Sequence, residues 1–524
     1  MLVGRRVPPL MLALALSPSL ASAQGLSTYR AQMWDEEQIG LPDAAESVDE
    51  LGSAVASGDF NGDGYSDLAM GAPHEALPIA GDTASDAGVV VVLYGSSSGV
   101  VLAGAQAWSQ DSPGIAEQVE EGDLFGWSLA SGDFDGDGYD DLAVGAYTED
   151  LPGAAGAGVV HLIYGGAGGL AAARSQLWSA ADPLVLGEAD ASDSFGWSLA
   201  AGDFDGDTYD DLAIGVPNDG GGASGRSGGL NVIYGGASGL AVAGNQHWYG
   251  LEVAGSYEDG CRFAEALATG DFDADGYADL AVGAPMDDFI DQVNVGSTRV
   301  LFGSDAGLGT DRDVYLLGPE ALGWQGKALV AGDFDGDGDD DLALGIPGRT
   351  VTGHQRAGAV AVKLGDGGSF LDAGEWSQDT AGVQGGAEVD DRLGSALACG
   401  DFDRDGYADL AIGVPREMVV DAIDGVVHVL RGTLTGPTAI GDQLWTRAAI
   451  PVPDPSPGNG GDRLGFALAA GDFDGSGQAD LVIGVPGESL AVGGDPGAVL
   501  ALYGVLFGDG FESQDTSAWS AVAP

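Results

Sequence analysis

Basic residues are scarce in this chain. Its 524 residues include 18 Lys and Arg against 81 Asp and Glu, which gives a formal net charge of −63. Nucleic acids and anionic membranes are bound mainly through positive protein surface, so the composition argues against both as partners. A surface this acidic attracts cations instead, and its carboxylates are grouped rather than scattered.

Cysteine and long hydrophobic runs are also scarce. The two cysteines, Cys261 and Cys399, stand at different offsets within the repeat described below, so we expect no disulfide between them. The apolar run Leu10–Leu16 is far shorter than the ~20 residues that span a bilayer. No later stretch is long enough either, so the sequence predicts no membrane insertion.

The same apolar run has the flanks of an export signal. Arg5 and Arg6 precede it, and Ala21-Ser22-Ala23 supplies the small residues that a signal peptidase reads. The pattern predicts a secretory signal peptide over residues 1–23, with cleavage after Ala23. We therefore expect the mature protein to be secreted and extracellular.

Helical periodicity is absent, whereas short Val, Ile and Leu runs bounded by Gly, Pro and Asp recur throughout. This texture predicts an all-β fold. The stretch FGWSLASGDFDGDGYDDLAVGA at 125–146 returns as FGWSLAAGDFDGDTYDDLAIGV at 195–216, so the chain is built from internal repeats. Seven copies start, counted from the first Asp of the acidic run, at Asp59, Asp133, Asp203, Asp271, Asp333, Asp401 and Asp472.

Each copy contains four pieces of strand length. In the second copy these are SLASGDF, DLAVGA, GVVHLIYG at 158–165, and a segment that ends in Gln176–Trp178. Four short antiparallel strands form one blade of a β-propeller, and such blades must stack around an axis to bury their faces. The Gln-x-Trp ending recurs at Gln106–Trp108, Gln246–Trp248 and Gln443–Trp445, and copy six keeps Trp376.

The last copy lacks its fourth strand. It stops after GAVLALYG at 497–504, and the fragment GLSTYRAQMW at 25–34 has the frame of the missing piece. Pairing of this N-terminal segment with the last three strands would close the ring and leave no open sheet edge. The sequence therefore predicts a closed seven-bladed β-propeller over residues 24–505, followed by a C-terminal tail at 506–524 to which we assign no role.

The acidic runs follow the pattern Asp-x-Asp/Asn-x-Asp-Gly-x-x-Asp, over 59–67, 133–141, 203–211, 271–279, 333–341, 401–409 and 472–480. Calcium takes six to eight oxygens from carboxylates and carbonyls. Side chains at positions 1, 3, 5 and 9 and the carbonyl at position 7 supply such a set, and Gly at position 6 permits the left-handed turn. The pattern predicts up to seven structural Ca²⁺ ions.

The predicted ligands are, loop by loop, Asp59, Asn61, Asp63, Tyr65 and Asp67; Asp133, Asp135, Asp137, Tyr139 and Asp141; Asp203, Asp205, Asp207, Tyr209 and Asp211; Asp271, Asp273, Asp275, Tyr277 and Asp279; Asp333, Asp335, Asp337, Asp339 and Asp341; Asp401, Asp403, Asp405, Tyr407 and Asp409; and Asp472, Asp474, Ser476, Gln478 and Asp480.

The alternative interpretation of these loops is a set of solvated acidic turns, since Asp and Gly are common in turns. Carboxylates ~4 Å apart near a surface repel by ~1 to ~4 kcal/mol per pair without a counter-ion, which disfavours that alternative. An EF-hand is excluded because its loop ends in Glu at position 12 and lies between helices. Thr208 at position 6 and Ser476 with Gln478 leave open whether the third and seventh loops bind calcium.

The repeat units of this chain resemble those of a known family. Units such as Phe125-Gly126 followed by GDFDGDGYDDLAVGA, or Gly283-Ala284-Pro285, are similar to the FG-GAP repeats of integrin α-subunit heads and of many secreted bacterial proteins. The resemblance implies a seven-bladed propeller. The chain departs from the motif at Leu51, Leu393, Leu464 and Gln325 in place of Phe, and at Tyr147 in place of Pro.

Other candidate positions give weaker signals. We expect His161 and His428, at one third-strand position where other copies carry Val, Ala or similar residues, to be structural rather than ligands. The Trp residues are expected to pack between blades, with sugar stacking as the alternative. An acid before the first strand of five copies is expected to form turns, although it could line a binding face. The remaining histidines are His74, His247 and His354, and the five acids are Asp49, Asp123, Asp193, Asp391 and Asp462.

No Gly-x-Ser-x-Gly, His-Glu-x-x-His or phosphate-loop motif occurs, so we identify no catalytic residue. The sequence is interpreted as a monomeric, non-catalytic extracellular scaffold for adhesion, whose partner is an unidentified protein or glycan. The alternative is a polysaccharide lyase or hydrolase that works at the mouth of the central channel.

Overall fold

A computed structural model describes residues 24–41, 49–79, 82–220, 226–250, 260–419, 422–452, 461–489 and 496–505. The predicted signal peptide and the C-terminal tail lie outside these ranges. The described chain forms seven four-stranded antiparallel sheets, and each holds the strands of one repeat. The predicted seven-bladed β-propeller is therefore confirmed. Blades are numbered 1 to 7 along the chain, and strands a to d run from the centre of the ring to its rim.

The a strands surround the axis. They are rich in Ala and Ser, and neighbouring a strands contact each other around the whole ring. The small residues permit this approach, and they leave a central cavity of about 280 Å³ that all seven blades line. The a strands are Ala54–Gly58, Ser128–Gly132, Ser198–Gly202, Ala266–Gly270, Leu329–Gly332, Ala396–Gly400 and Leu468–Gly471.

The b strands are the most buried part of each blade, with all six residues of each strand buried. Their glycine is needed for blade stacking, since a Cβ on Gly71 would lie 2.1 Å from the carbonyl oxygen of Gly126 in the next blade. The b strands are Asp67–Ala72, Asp141–Ala146, Asp211–Val216, Asp279–Ala284, Asp341–Ile346, Asp409–Val414 and Asp480–Val485.

The c strands are buried and rich in β-branched residues, whereas the d strands form the partly exposed rim. The c strands are Val89–Tyr94, Val159–Tyr164, Gly229–Tyr234, Ser297–Phe302, Ala359–Gly365, Val426–Arg431 and Ala498–Val505. The d strands of blades 1 to 6 are Val101–Trp108, Ala171–Trp178, Ala241–Tyr249, Gly309–Leu317, Phe370–Trp376 and Thr438–Thr446.

The N-terminal strand Gln24–Asp35 is the d strand of blade 7. It pairs antiparallel with Ala498–Val505, in a register that places Met33 opposite Leu500 and Trp34 opposite Val499. The predicted ring closure is therefore confirmed. The small remaining elements are the helix Glu36–Ile39, the 3-10 turn Arg447–Ala449, and two hairpins, Leu77–Ile79 with Asp82–Ala84 and Met418–Val419 with Ala422–Ile423.

The Gln of the Gln-x-Trp ending joins adjacent blades. Tyr94 donates its hydroxyl to Gln106 Oε1 over 2.6 Å, and Gln106 Nε2 donates to the carbonyl of Leu170 in the next blade over 3.0 Å. The Leu170 N–H returns to the Tyr94 hydroxyl over 3.3 Å. The same clamp recurs between later blades.

The Trp of that ending is buried in four blades, which confirms the structural interpretation for these four: Trp34, Trp178, Trp376 and Trp445. Trp376 lies in blade 5 and not in copy six as predicted, because its strand pairs with the strands that follow Asp333. No disulfide joins Cys261 and Cys399, as expected. The part of the chain that the structure describes contains no helix with the length and apolarity that a membrane span requires.

Candidate metal centres

The seven acidic loops connect the a and b strands and lie on one face of the ring, here called the loop face. In blade 2, the Asp133 carboxylate accepts hydrogen bonds from the backbone N–H groups of Asp137 over 3.0 Å and of Gly138 over 2.9 Å. Asp137 in turn accepts from the N–H of Tyr139 over 3.2 Å. These bonds fix the carboxylate of position 1 toward the inside of the turn.

Position 9 is the first residue of each b strand and is buried. Asp141 accepts from the N–H groups of Gly165 over 2.8 Å and of Phe134 over 3.2 Å, and burial raises its pKa to about 8. The ionised form is thus penalised, and a nearby cation would offset that penalty. Burial also raises the pKa of Asp67, Asp279 and Asp341 to about 7 and that of Asp211, Asp409 and Asp480 to about 8.

Positions 1, 3 and 9 converge. In each of four loops these three side chains offer carboxylate oxygens that all lie within 4.8 Å of one another. The position-5 carboxylate is outside these four groups, and one of its oxygens accepts a hydrogen bond from the loop backbone, as in Asp137. The four groups are Asp133, Asp135 and Asp141; Asp203, Asp205 and Asp211; Asp271, Asp273 and Asp279; and Asp333, Asp335 and Asp341.

Several buried oxygens in the loops have no hydrogen-bond partner among the described residues. In blade 1 these are Oδ1 of Asn61 and Oδ2 of Asp67, at positions 3 and 9. The Oδ1 atoms of Asp273 and Asp403, both at position 3, share this property. Buried polar atoms without a partner are costly, and hard oxygens grouped in this way suit a hard divalent cation. The donor set fits the predicted metal.

The two weaker copies keep the loop conformation. Thr208 has a φ of 77° and still donates its N–H to Asp203 over 2.9 Å, as the glycine does elsewhere. In blade 7, Asp472 accepts from Ser476 over 2.9 Å and from Gly477 over 2.8 Å. The substitutions therefore change ligand chemistry and local strain, but not the turn.

Arginines approach position 3 in four blades, which the sequence analysis missed. Arg174 lies 2.5 Å from Asp135, Arg312 lies 2.6 Å from Asp273, and Arg431 lies 3.0 Å from Asp403. In blade 7, Arg30 of the N-terminal strand lies 2.9 Å from Asp474. A guanidinium at this position reduces the net negative charge that a bound cation would meet.

Hydrogen bonds join each loop to the next one around the ring. The N–H of Asp140, at position 8, donates to the carbonyl of Asp59, at position 1 of the preceding blade, over 3.1 Å. The Asp140 carboxylate accepts from the Asp59 N–H over 2.7 Å. The backbone link occurs in all seven blades, from Ser66, Asp140, Asp210, Ala278, Asp340, Ala408 and Ala479.

The tyrosine at position 7 packs on the glycine at position 4 of the preceding loop. A Cβ on Gly136 would lie 2.5 Å from the ring of Tyr209. Where position 4 is Ala274, the next loop has Asp339 instead of tyrosine, and where it is Arg404 the next loop has Gln478. The side chain at position 7 therefore depends on the space that the neighbouring blade leaves.

The opposite face of the ring, here called the far face, carries an aromatic group in blades 2 and 3. The ring centroid of Tyr147 lies 4.7 Å from that of Trp127 and 4.7 Å from that of Trp197. The Arg262 guanidinium lies 4.6 Å from the centroid of the Trp197 ring. All three rings are half-buried. The departure at Tyr147 thus contributes to a specific surface feature.

In three blades the acid before strand a forms a turn, as predicted. Asp123 accepts from the N–H of Glu120, Asp193 from that of Asp190, and Asp391 from that of Glu388. The sequence did not reveal that these carboxyls are buried, and burial raises the pKa of Asp123 to about 6.

The strand c position that holds His161 and His428 carries polar residues in more blades than predicted. Besides His161 and His428, blades 3 and 4 place Asn231 and Arg299 there, opposite the b strand. His428 pairs with Asp442 over 3.1 Å. His161 Nε2 has no hydrogen-bond partner among the described residues, and burial lowers the pKa of His161 to about 4.

Comparisons with known proteins agree with this architecture. The chain is 30% identical to integrin alpha-5 of Xenopus laevis over 248 residues, which cover 45% of this chain and 21% of that protein. It is 35% identical to phosphatidylinositol-glycan-specific phospholipase D of Rattus norvegicus over 187 residues, 35% of this chain and 20% of that protein. The chain thus spans about a fifth of the length of these curated relatives.

Among solved structures, the Dos1 propeller aligns with 91% of the chain at 11% identity and a TM-score of 0.40. The sequence model of the FG-GAP repeat matches residues 51–93, 125–163, 195–229, 263–301, 326–362, 393–430 and 464–502, one segment in each blade. These segments cover more than half of the chain, which therefore belongs to the FG-GAP repeat family.

Proposed function

We propose that the protein is an exported, calcium-stabilised binding scaffold without catalytic activity. The observation that carries the calcium assignment is the repeated convergence of carboxylates on the loop face, where buried oxygens such as Oδ2 of Asp67 have no partner among the described residues. In each loop, positions 1, 3, 5 and 9 and the carbonyl of position 7 would hold the ion. Calcium supplies the positive charge that offsets burial of the position-9 carboxyl.

Calcium stoichiometry tests this assignment. Equilibrium dialysis of the full mature chain is expected to give up to seven ions in the loops. Asp141→Asn removes one buried ligand of the second loop and is expected to lose one ion. Glu188→Gln removes the same charge from an exposed position and should leave the count unchanged. A chain that binds no calcium at millimolar concentration would contradict the assignment.

Ligand binding is assigned to the far face. Trp127, Tyr147 and Trp197 present half-buried rings beside a guanidinium. Aromatic and Arg side chains are enriched at protein interfaces and also stack on sugars, so this group suits an extracellular protein or glycan. The secretory pattern of residues 1–23 and the similarity to integrin alpha-5 support an adhesion role.

An array of glycans and matrix proteins, probed in calcium, tests this surface. Trp197→Ala is expected to reduce binding at least tenfold, whereas Phe289→Ala removes an exposed ring elsewhere and should leave binding intact. Equal binding by the wild type and Trp197→Ala would move the ligand site away from this group. The same samples are assayed for polysaccharide cleavage, and turnover would favour the enzymatic alternative.

We favour the scaffold over the polysaccharide lyase or hydrolase because of the central cavity. Its described lining consists of small and apolar residues with Ser128, Ser198 and Trp197, and it offers no carboxylate or imidazole for acid–base chemistry. The relatives include both integrins and a phospholipase D, so similarity alone does not favour either activity.

A further inference from the structure

At four of the seven junctions between blades, two polar side chains meet on the far face. One partner is the acid three residues after strand b, and the other is the residue two positions after the Trp position of the preceding blade. Gln110 Nε2 donates to Glu149 over 2.5 Å, and Gln378 Nε2 donates to Glu417 over 2.7 Å. Each acid thus receives a hydrogen bond from a neutral amide.

The junction of blades 6 and 7 uses a cation in the same place. Arg447 donates from Nε to Glu488 over 3.0 Å and from Nη2 over 3.0 Å, with both side chains buried. In all three of these junctions, the acid therefore meets a nitrogen donor.

The junction of blades 7 and 1 has an acid at both positions. Two residues after Trp34 the chain has Glu36, which lies beside Glu75 and Asp49. One oxygen of each side chain lies within 4.8 Å of the others, and the three residues are 3%, 2% and 2% exposed. Three buried carboxyls thus converge at this junction.

Every group that acts on the Glu36 carboxyl raises its pKa. Burial, then the charges of Asp49 and Glu75, and a hydrogen bond with Asp49 raise this pKa to about 10. Oε1 of Glu36 is buried and has no hydrogen-bond partner among the described residues. A buried, unpartnered oxygen on one of three converging carboxyls is a feature that a bound cation would satisfy.

We propose that Glu36, Asp49 and Glu75 bind a hard divalent cation, with calcium as the best match to an all-oxygen donor set. This site lies on the far face and is separate from the seven loops. Its ligands come from the N-terminal segment after the closing strand and from two turns of blade 1, so the ion fastens the ring where its two ends meet.

Anomalous diffraction from crystals of the full mature chain grown with terbium as a calcium substitute tests this site. The expected result is a peak among the three carboxyls at ~2.3–2.6 Å from their oxygens. In Glu36→Gln the peak is expected to vanish while peaks in the loops persist. This variant should fold, because it introduces the amide that Gln110 and Gln378 place at equivalent junctions.

Equilibrium dialysis with calcium gives a second measurement. Glu36→Gln is expected to lose one ion per chain, whereas Glu37→Gln, at an exposed neighbouring position, should lose none. Filled loops with no peak at this junction would overturn the proposal, and so would an unchanged ion count in Glu36→Gln. A proton shared among the carboxyls would then account for the cluster. Empty loops with an occupied junction would contradict the proposed function and leave this site standing.

Discussion

The two faces of the propeller are built on different principles. On the loop face, every blade uses the same turn, and a backbone hydrogen bond links each loop to the next in all seven blades. On the far face, the same junction position carries Gln in two places, Arg and Glu in one each, and Ala or Gly in the rest. Among the described residues, the group of Trp127, Tyr147 and Trp197 lies in blades 2 and 3. The repeated face therefore stabilises the ring, and the varied face is free to acquire specific functions.

The exceptions on the loop face also depend on contacts between neighbouring blades. Asp339 and Gln478 replace tyrosine where Ala274 and Arg404 occupy the space of the preceding glycine. Position 4 of one loop and position 7 of the next loop therefore vary together, because the side chain at position 7 packs against position 4 of the preceding loop. Even the uniform face is determined by contacts between blades.

Calcium removal should have the largest effect. With a dissociation constant of ~10⁻⁴ M and ~1 mM free calcium, each loop would contribute ~1.4 kcal/mol, and seven loops ~10 kcal/mol. We expect EGTA to lower the melting temperature by about 10 °C for a chain of this size. Differential scanning calorimetry with and without excess calcium measures this shift, and a melting temperature indifferent to EGTA would break the comparison.

A pair of glycines in one loop gives the next largest effect. Gly136 and Gly138 have φ values of 68° and 87°, but only Gly136 faces the Tyr209 ring, and a Cβ on Gly138 meets nothing within 4 Å. Gly136→Ala is expected to cost about 1–3 kcal/mol more in unfolding free energy than Gly138→Ala, because the ring must move. Denaturant unfolding in calcium measures both variants, and equal costs would refute the packing argument.

The buried His161 is expected to make blade 2 sensitive to acid. Because burial lowers the pKa of His161 from 6.5 to about 4, the unfolded chain binds the proton more tightly, and stability falls as pH drops from above 6.5 toward 4. The cost at pH 5 is about 2 kcal/mol. His161→Val, the residue of blade 1 at Val91, should remove that cost.

Unfolding free energies at pH 7.5 and pH 5 measure this difference under identical calcium conditions. Val159→Ala provides the control, since it shortens a buried side chain of the same strand, removes no titratable group and should retain the pH dependence of the wild type. If His161→Val retains the full acid sensitivity of the wild type, the neutral buried imidazole is not its source.

The smallest effect concerns the arginines that distinguish otherwise equal loops. Arg174 is half-exposed and pairs with Asp135. We expect Arg174→Ala to destabilise the calcium-free chain by less than ~1 kcal/mol, as for other exposed ion pairs, and to raise calcium affinity in that loop. Isothermal titration measures the affinity. Loops 1, 3 and 5 have no such pair among the described residues and serve as the comparison. A lower calcium affinity in Arg174→Ala would show that the arginine supports the site.

Much of the fold was predictable because the repeat is long and regular. The seven copies that start between Asp59 and Asp472 predicted the blade count, and the displaced strand at 25–34 predicted the ring closure. The convergence of the loop carboxylates was predictable because they lie within nine consecutive residues. Their spacing alone indicates which side chains share a turn.

Contacts between residues far apart in the chain were not predictable in the same way. Arg174 and Asp135 are 39 positions apart within blade 2, and Glu36 meets Glu75 of blade 1 only because the first strand joins the last blade. A signal was present: aligning the repeats beyond their Trp would have placed Glu36 with Gln110, Gln378 and Arg447. The burial of these residues, however, depends on the stacking of whole blades.

The closing strand also determines how the molecule can be held. Gln24 pairs with Val505, so the two ends of the propeller leave blade 7 side by side. Both lie at the end of the blade that carries the acidic loops, since strand c runs toward that face and strand d away from it. An anchor or fusion partner joined to either terminus would therefore hold the propeller at its loop face. The aromatic group of blades 2 and 3 would then lie on the opposite face, directed away from the attachment.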